Sequence, residues 1–223
     1  MIDPRLLQLC DSAFPSGAFS QSFGLETAIL ERDVRDATSV HAWIVAYLGR
    51  TVATADCRAI ALLMREPAKL DDLDRTLAAS TFARDVRAAN RRLARATLEA
   101  YLAMGLSGTA ISGYRDDIVA GRANGYHALA CGLGYAAIGA AADDALCAHL
   151  SASAAALAAV AARAVPLGQR DVGALLWSLR APIAHFVRTA QNVRSVDDLT
   201  TGAPLCEIDA LRHSALDARL FAS

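Results

Sequence analysis

The sequence predicts an all-α protein: a single-domain helical bundle over residues 1–223, with an irregular N-terminal strap (1–22) and C-terminal tail (195–223). Three observations carry this. Apolar residues recur at steps of three and four through most of the chain, and no segment alternates with the period of two that a half-buried strand needs. Prolines and clustered glycines punctuate the pattern at helix-length intervals. Finally, 223 residues of which 54% are hydrophobic can bury a sizeable core, and that length suits one domain better than two.

Taken in order, the strap "SAFPSGAFSQSFGLE" sets Phe14, Phe19 and Phe23 among turn residues. Phenylalanine seeks burial, so these rings are expected to pin the segment, to its own core or to a partner groove, with Pro15 and Gly17 setting the bends. Ser20 or Ser22 is read as the cap of the helix that starts near Leu25. Val40, Trp43, Ile44, Tyr47, Leu48 and Val52 then form one apolar helix face, and a second helix over 54–66 is stopped by Pro67. The aspartates of "KLDDLDRTL" are expected to cap a long third helix running to about Met104. On it Arg84, Arg87, Arg91 and Arg95 share one side while Phe82, Val86, Ala89 and Leu93 fall opposite. That arginine row reads either as a solvated face or as a docking surface. Glycine-rich 105–125 reads as the main loop region, with room for a short helical turn. Two alanine-rich helices follow, over about 126–141 and 143–164, and Pro166 ends the second. A last apolar helix over about 170–193 is expected to kink at Pro182, whose ring removes an internal N–H bond.

Composition excludes several functions. A formal net charge of -1 provides no overall field toward nucleic acid or an anionic membrane. No nucleic-acid motif accompanies the arginine row. Lys69 is the only lysine and stands in no G-x-x-x-x-G-K frame, which excludes a P-loop NTPase. Five scattered cysteines without C-x-x-C spacing read as reduced thiols, and the five histidines form no H-x-x-x-H pair, so neither a disulfide framework nor a metal or cofactor site is expected. Cys147 and His149 would point about 200° apart on a helix. "GLGYAAIG" lies inside a helical pattern and reads as glycines that let helices touch. "GAFSQSFG" lacks the nucleophile-elbow frame. The uncharged segment 123–142 matches a bilayer span in length, but its alanines and glycines suit a buried core helix better. The N-terminus lacks a signal-peptide layout, so a cytoplasmic location is expected. From the residues alone, a helical interaction protein competes with a helical enzyme whose pocket is assembled from distant residues.

"LLQLCDSAFPSGAFSQSFGLETAI" resembles the opening of the urease accessory protein F (UreF) family, with Asp11, Ser12, Pro15, Gly17, Phe19, Ser20, Ser22, Gly24, Leu25 and Glu26 fitting its D/S-x-x-P-x-G-[AG]-[YF]-[ST]-x-S-x-G-L-E run. "AVPLGQRDVGALLWSL", which contains Gly168 and Gln169, resembles the family's P-L-G-Q segment. "APLCEIDALRHSALDARLFAS" resembles its C-terminal P-x-x-x-I…R-H…R-L-F-x-S tail. Phe19 stands where tyrosine is common, and Ser214, Asp217 and Ala222 replace the usual glutamate, tyrosine and arginine.

The resemblance implies an all-α cytoplasmic protein, usually a homodimer, that matures the nickel enzyme urease. Such proteins bridge a D/H-type urease accessory protein and the GTPase accessory protein G on apo-urease, so nickel and GTP would be handled by partners and not bound directly by this chain. It also implies that Leu220 and Phe221 anchor the D/H-type partner, with Arg219 fixing them. Gln169 becomes a candidate for ordering water in the partner's GTPase site, set against simple capping of the helix it precedes.

Overall fold

A computed structural model describes residues 3–222, Phe19 through its backbone alone. The described residues are all-α, as the periodicity requires. In chain order, α1 (Pro4–Leu9) leads through the strap to α2 (Leu25–Glu31), then α3 (Ala37–Tyr47), a π-helical stretch (Leu48–Cys57) and α4 (Arg58–Arg65). Next come α5 (Leu70–Ser80), α6 (Arg84–Ala103), α7 (Thr109–Val119), α8 (His127–Ala137) and α9 (Ala142–Ala164). The chain closes with α10 (Gln169–Ser178), α11 (Arg180–Ala190) and α12 (Pro204–Arg212). Helix α8 lies at the centre between α4 and α6, while α9 crosses behind α2, α10 and α11. Close approach at the centre depends on glycine: a Cβ on Gly134 would lie 2.5 Å from the Tyr101 ring of α6. Gly132, against Leu63 and Ile60 of α4, and Gly134 of "GLGYAAIG" therefore let helices touch, as expected, whereas a Cβ on Gly139 would meet nothing within 4 Å.

The apolar face read over 40–52 is buried, with Tyr47 half-buried on it. Val40, Trp43, Ile44, Leu48 and Val52 line one side of a rod that continues unbroken from α3 to α4, ending before Pro67. A capping box starts it, since Asp36 Oδ1 accepts from Ser39 N–H at 2.8 Å and Ser39 Oγ accepts from Asp36 N–H at 3.1 Å. In the ten-residue π stretch the carbonyls of Arg50 and Thr54 accept from outside the helix: Gly202 N–H donates to Arg50 O at 2.8 Å and Thr200 N–H to Thr54 O at 3.1 Å. The widened helix thus anchors the start of the tail. Gly49 in the same stretch faces the Phe186 ring of α11, which leaves no room for a Cβ.

Five expectations are corrected. The "third long helix" is two, α5 and α6, separated at Thr81–Ala83, and Phe82 is 61% exposed instead of facing the core. Asp71 and Asp72 lie inside the first turn of α5 without capping it, whereas Asp74 is buried and accepts four hydrogen bonds, from Tyr114 Oη, Asn124 N, Asn124 Nδ2 and Gly125 N. Those bonds fold 105–125 back onto α5, and within that segment α7 replaces most of the expected loop. The helix expected over 126–141 stops at Ala137, and a left-handed Gly139 turns the chain into α9. The helix expected over 170–193 breaks at Leu179, so Pro182 falls in the first turn of α11, where its missing N–H costs nothing. Among the described residues one helix, α9, is long and apolar enough to cross a bilayer, and half of its most apolar stretch is buried against the other helices.

Candidate functional site

The two ends of the chain meet at one place. In the strap, Gly17 takes a left-handed conformation (φ 80°) and a short 3₁₀ turn, Ala18–Ser20, follows. Phe14 is buried with its ring 5.5 Å from that of Tyr101, and Phe23 stacks on Tyr47 at 6.0 Å. Of the two destinations open to these rings, both take the chain's own core. The Phe19 side chain lies outside the described residues, and Pro15 is exposed. Neither serine caps α2: Ser20 Oγ donates back to Gly17 O at 2.8 Å, and the capping position belongs to Gly24 (φ 95°). Only glycine fits there, because a Cβ would lie 2.7 Å from Ala210 N and 2.8 Å from Cys206 O. Helix α12 is therefore pressed against the start of α2.

Glu26, two residues further on, is buried and holds the tail. Its carboxylate lies 2.8 Å from His213 Nε2 and accepts from the backbone N–H groups of Leu220 (2.6 Å) and Phe221 (3.3 Å). Ala222 N–H donates to Ser20 O at 2.9 Å, joining tail to strap. Phe221 is buried beneath the Arg163 guanidinium, 5.1 Å from its ring centre. Beside this clasp Asp209 pairs with Arg32 and accepts from Trp43 Nε1 at 3.3 Å. Burial pushes the Asp209 carboxyl above its ordinary range, and the Trp43 hydrogen bond and Arg32 offset part of that rise.

The tail was expected to be irregular over 195–223. Instead it forms α12 and folds back, because Glu26 and the π-stretch carbonyls satisfy its backbone. Glu26 and Phe221 are consequently spent inside the chain. Leu220, at 73% exposed, points out, and Arg219 lies 3.8 Å from Asp85 at the start of α6. Leu205, Ile208 and Leu211, three residues apart, form an exposed apolar stripe along α12 that the sequence reading did not single out, and Leu30 of α2 is exposed as well. Their spacing along α12 was the available signal.

The arginine row is exposed on α6, but its members do different work. Arg87 donates to Thr81 O and Phe82 O at the end of α5, and Arg91 donates to Ile118 O and Ala123 O at the end of α7. Both close helix C-termini, where carbonyls are free and the dipole is negative. Arg95 pairs with Glu99 at 2.7 Å. Arg84 makes no such bond among the described residues. On the far side, Gly168 is the capping residue of α10, and its N–H donates to Asp171 Oδ2 at 2.9 Å. Gln169 is the exposed first residue of the helix and caps nothing.

Between strap, α8, α9 and the π stretch lies a cavity of about 200 Å³. Cys10, Asp56, Tyr126, His127, Cys131 and His149 line it, with Tyr135 between. Tyr135 Oη lies 3.2 Å from Cys10 Sγ and 3.4 Å from His149 Nδ1; His127 Nε2 lies 3.5 Å from Cys131 Sγ. Burial, with His149 nearby, pulls His127 down to about 3, and burial pushes Cys131 well above the usual thiol range. At neutral pH these are an uncharged imidazole and a protonated thiol, a poor nucleophile. No group of three His, Cys, Asp or Glu side chains suited to a metal ion occurs among the described residues. Cys147 is exposed and His149 buried, on opposite sides of α9 as expected.

What these residues build is an all-helical scaffold whose ends are fastened into one surface. The UreF family model matches residues 34–180. A urease accessory protein UreF of Bacillus sp. (strain TB-90) is 33% identical, covering 98% of this chain and 97% of the relative. That of Corynebacterium glutamicum (strain R) is 33% identical over 99% and 98%, and that of Cereibacter sphaeroides (strain KD131 / KCTC 12085) 33% over 97% and 96%. The chain belongs to the UreF family of urease accessory proteins.

Proposed function

We propose that this protein is a cytoplasmic maturation scaffold for urease. It binds the D/H-type accessory protein and the GTPase accessory protein G, as a homodimer, and holds them on apo-urease while GTP hydrolysis is coupled to nickel insertion. Nickel and GTP stay with the partners. The observation that carries this reading is the Glu26 clasp, which fixes the tail against the start of α2 with Phe221 buried and Leu220 exposed on an ordered segment. Preordering that segment lowers the entropy cost of docking. The D/H-type protein is assigned to it, and the exposed Gln169 end of α10 to the GTPase. Co-purification of this protein with both partners, and nickel-dependent activation of urease by the assembly, tests the reading. Failure to form the ternary complex from purified components would end it.

The cavity favours one other reading, a small-molecule enzyme with a site between α8 and α9. Turnover of a small molecule by the isolated chain, abolished by filling the cavity with Cys131→Phe, would support that reading over the scaffold.

A further inference from the structure

Helices α10 and α11 share one inward stripe, Leu175, Leu179, Ile183, Val187 and Ala190, that runs through the break at Leu179. The stripe at spacings of four and three keeps both helices facing the core on the same side, so their opposite faces form one continuous outer ridge. Along α10 that ridge reads Arg170, Gly173, Ala174, Trp177; along α11 it reads Ala181, Ala184 and Arg188. Trp177 is 70% exposed, an uncommon state for a residue whose indole ordinarily buries most of its surface. The Arg180 guanidinium lies 4.5 Å from the centre of the Trp177 ring and donates to Trp177 O at 2.7 Å, which holds the indole against one wall and leaves its other face open.

The charge on the ridge has one sign. From 169 to 190 there are three arginines and a single acid, Asp171, which is engaged with the Gly168 N–H. Arg170, Arg180 and Arg188 are exposed and make no ion pair among the described residues. This decides between occupants. A second copy docking here through a two-fold axis would set arginine rows against each other around the tryptophan, which electrostatic complementarity disfavours. An acidic protein surface meets no such penalty. Tryptophan and arginine are also the residues over-represented where interface energy concentrates.

We propose that this ridge is a docking surface for an acidic partner, which receives Trp177 in an apolar socket rimmed by carboxylates that pair with Arg170, Arg180 and Arg188. The inference rests on the scaffold reading, since it takes the partner from that assembly, and it extends contact from the Gln169 end of α10 along the outer face of α10 and α11. The small residues Gly173, Ala174, Ala181 and Ala184 keep the ridge flat, so the partner's backbone approaches closely on either side of the indole.

Affinities of the purified protein for the D/H-type protein, for the GTPase and for apo-urease, measured separately at two salt concentrations, test it with Trp177→Ala and Arg188→Glu. Both side chains are exposed, and an unchanged unfolding midpoint confirms that the variants fold. One of the three partners is expected to bind at least tenfold more weakly to each variant, with a shallower salt dependence for Arg188→Glu and the other partners unaffected. Wild-type binding to the partners with neither variant altering any of them overturns the ridge while leaving the scaffold standing. Conversion of a dimer to monomer by Trp177→Ala with partner affinities intact also overturns it, since the occupant is then a second copy. Absence of any partner binding by wild type overturns the scaffold reading and this one with it.

Discussion

Glu26 and His213 stand 187 residues apart in the chain, yet the carboxylate and Nε2 lie 2.8 Å apart with both side chains buried. The same carboxylate accepts the backbone N–H groups of Leu220 and Phe221, so a single acid closes the molecule end on end. Removing one partner of such a buried arrangement leaves the others unpaired, which is why its cost exceeds the worth of any one bond. Glu26→Ala should lower unfolding free energy by about 3 kcal/mol. It should also raise amide exchange at Leu220 and Phe221 more than in α8. Denaturant unfolding combined with hydrogen exchange checks both, and a tail that stays protected would show that Glu26 does not hold it.

Gly24 is the steric complement of that clasp. With φ at 95° and two backbone atoms of α12 within 2.8 Å of a would-be Cβ, Gly24→Ala should destabilise by more than about 2 kcal/mol. Gly113, with nothing within 4 Å, is the control, and its substitution by alanine in α7 should be neutral or stabilising. Equal midpoints for the two variants would contradict the packing of α12 on α2.

His127 makes stability depend on pH. Its folded-state value, about 3, lies below the ordinary 6.5, so the unfolded chain binds the proton more readily. Stability is therefore intact above pH 6.5 and falls as pH drops from there toward 3. At pH 5 the loss from this residue alone is about 2 kcal/mol. Urea unfolding at pH 7 and pH 5 should show a smaller difference for His127→Gln than for wild type, and equal differences would refute the assignment.

How much of this was legible beforehand follows from the range of the forces involved. The face of α3 is a local pattern, written in apolar spacing, and it appears where the spacing puts it; on α6 the same holds for Ala89 and Leu93, whereas Phe82 falls outside the helix and is exposed. The burial of Phe14 was also readable, because a ring that large among turn residues must find cover. The clasp was not. Glu26 looks like an acid in a helix's first turn, and only the distant approach of His213 and the tail amides makes its burial affordable. Asp74 misled in the same way, reading as a cap when its bonds lie about forty to fifty residues along the chain. The π stretch left no apolar signature of its own; its carbonyl partners come from 200–202. The family motifs located strap, tail and P-L-G-Q, and the α12 stripe was present in the spacing of Leu205, Ile208 and Leu211, whereas the Trp177 ridge needed the fold.

Gln169 is exposed and caps nothing, so Gln169→Ala should move unfolding by less than about 0.5 kcal/mol. With the GTPase assigned to this end of α10, single-turnover GTP hydrolysis in the intact assembly should slow several-fold. An unchanged rate removes the assignment.

The central claim is that strap and tail together form one ordered docking surface, with Leu220 outward and Phe221 inward. Its most direct test is titration of the D/H-type protein against wild type and Leu220→Asp, with unfolding followed in parallel. The expected result is an unchanged midpoint and at least tenfold weaker binding. Full affinity with Leu220→Asp would contradict the claim.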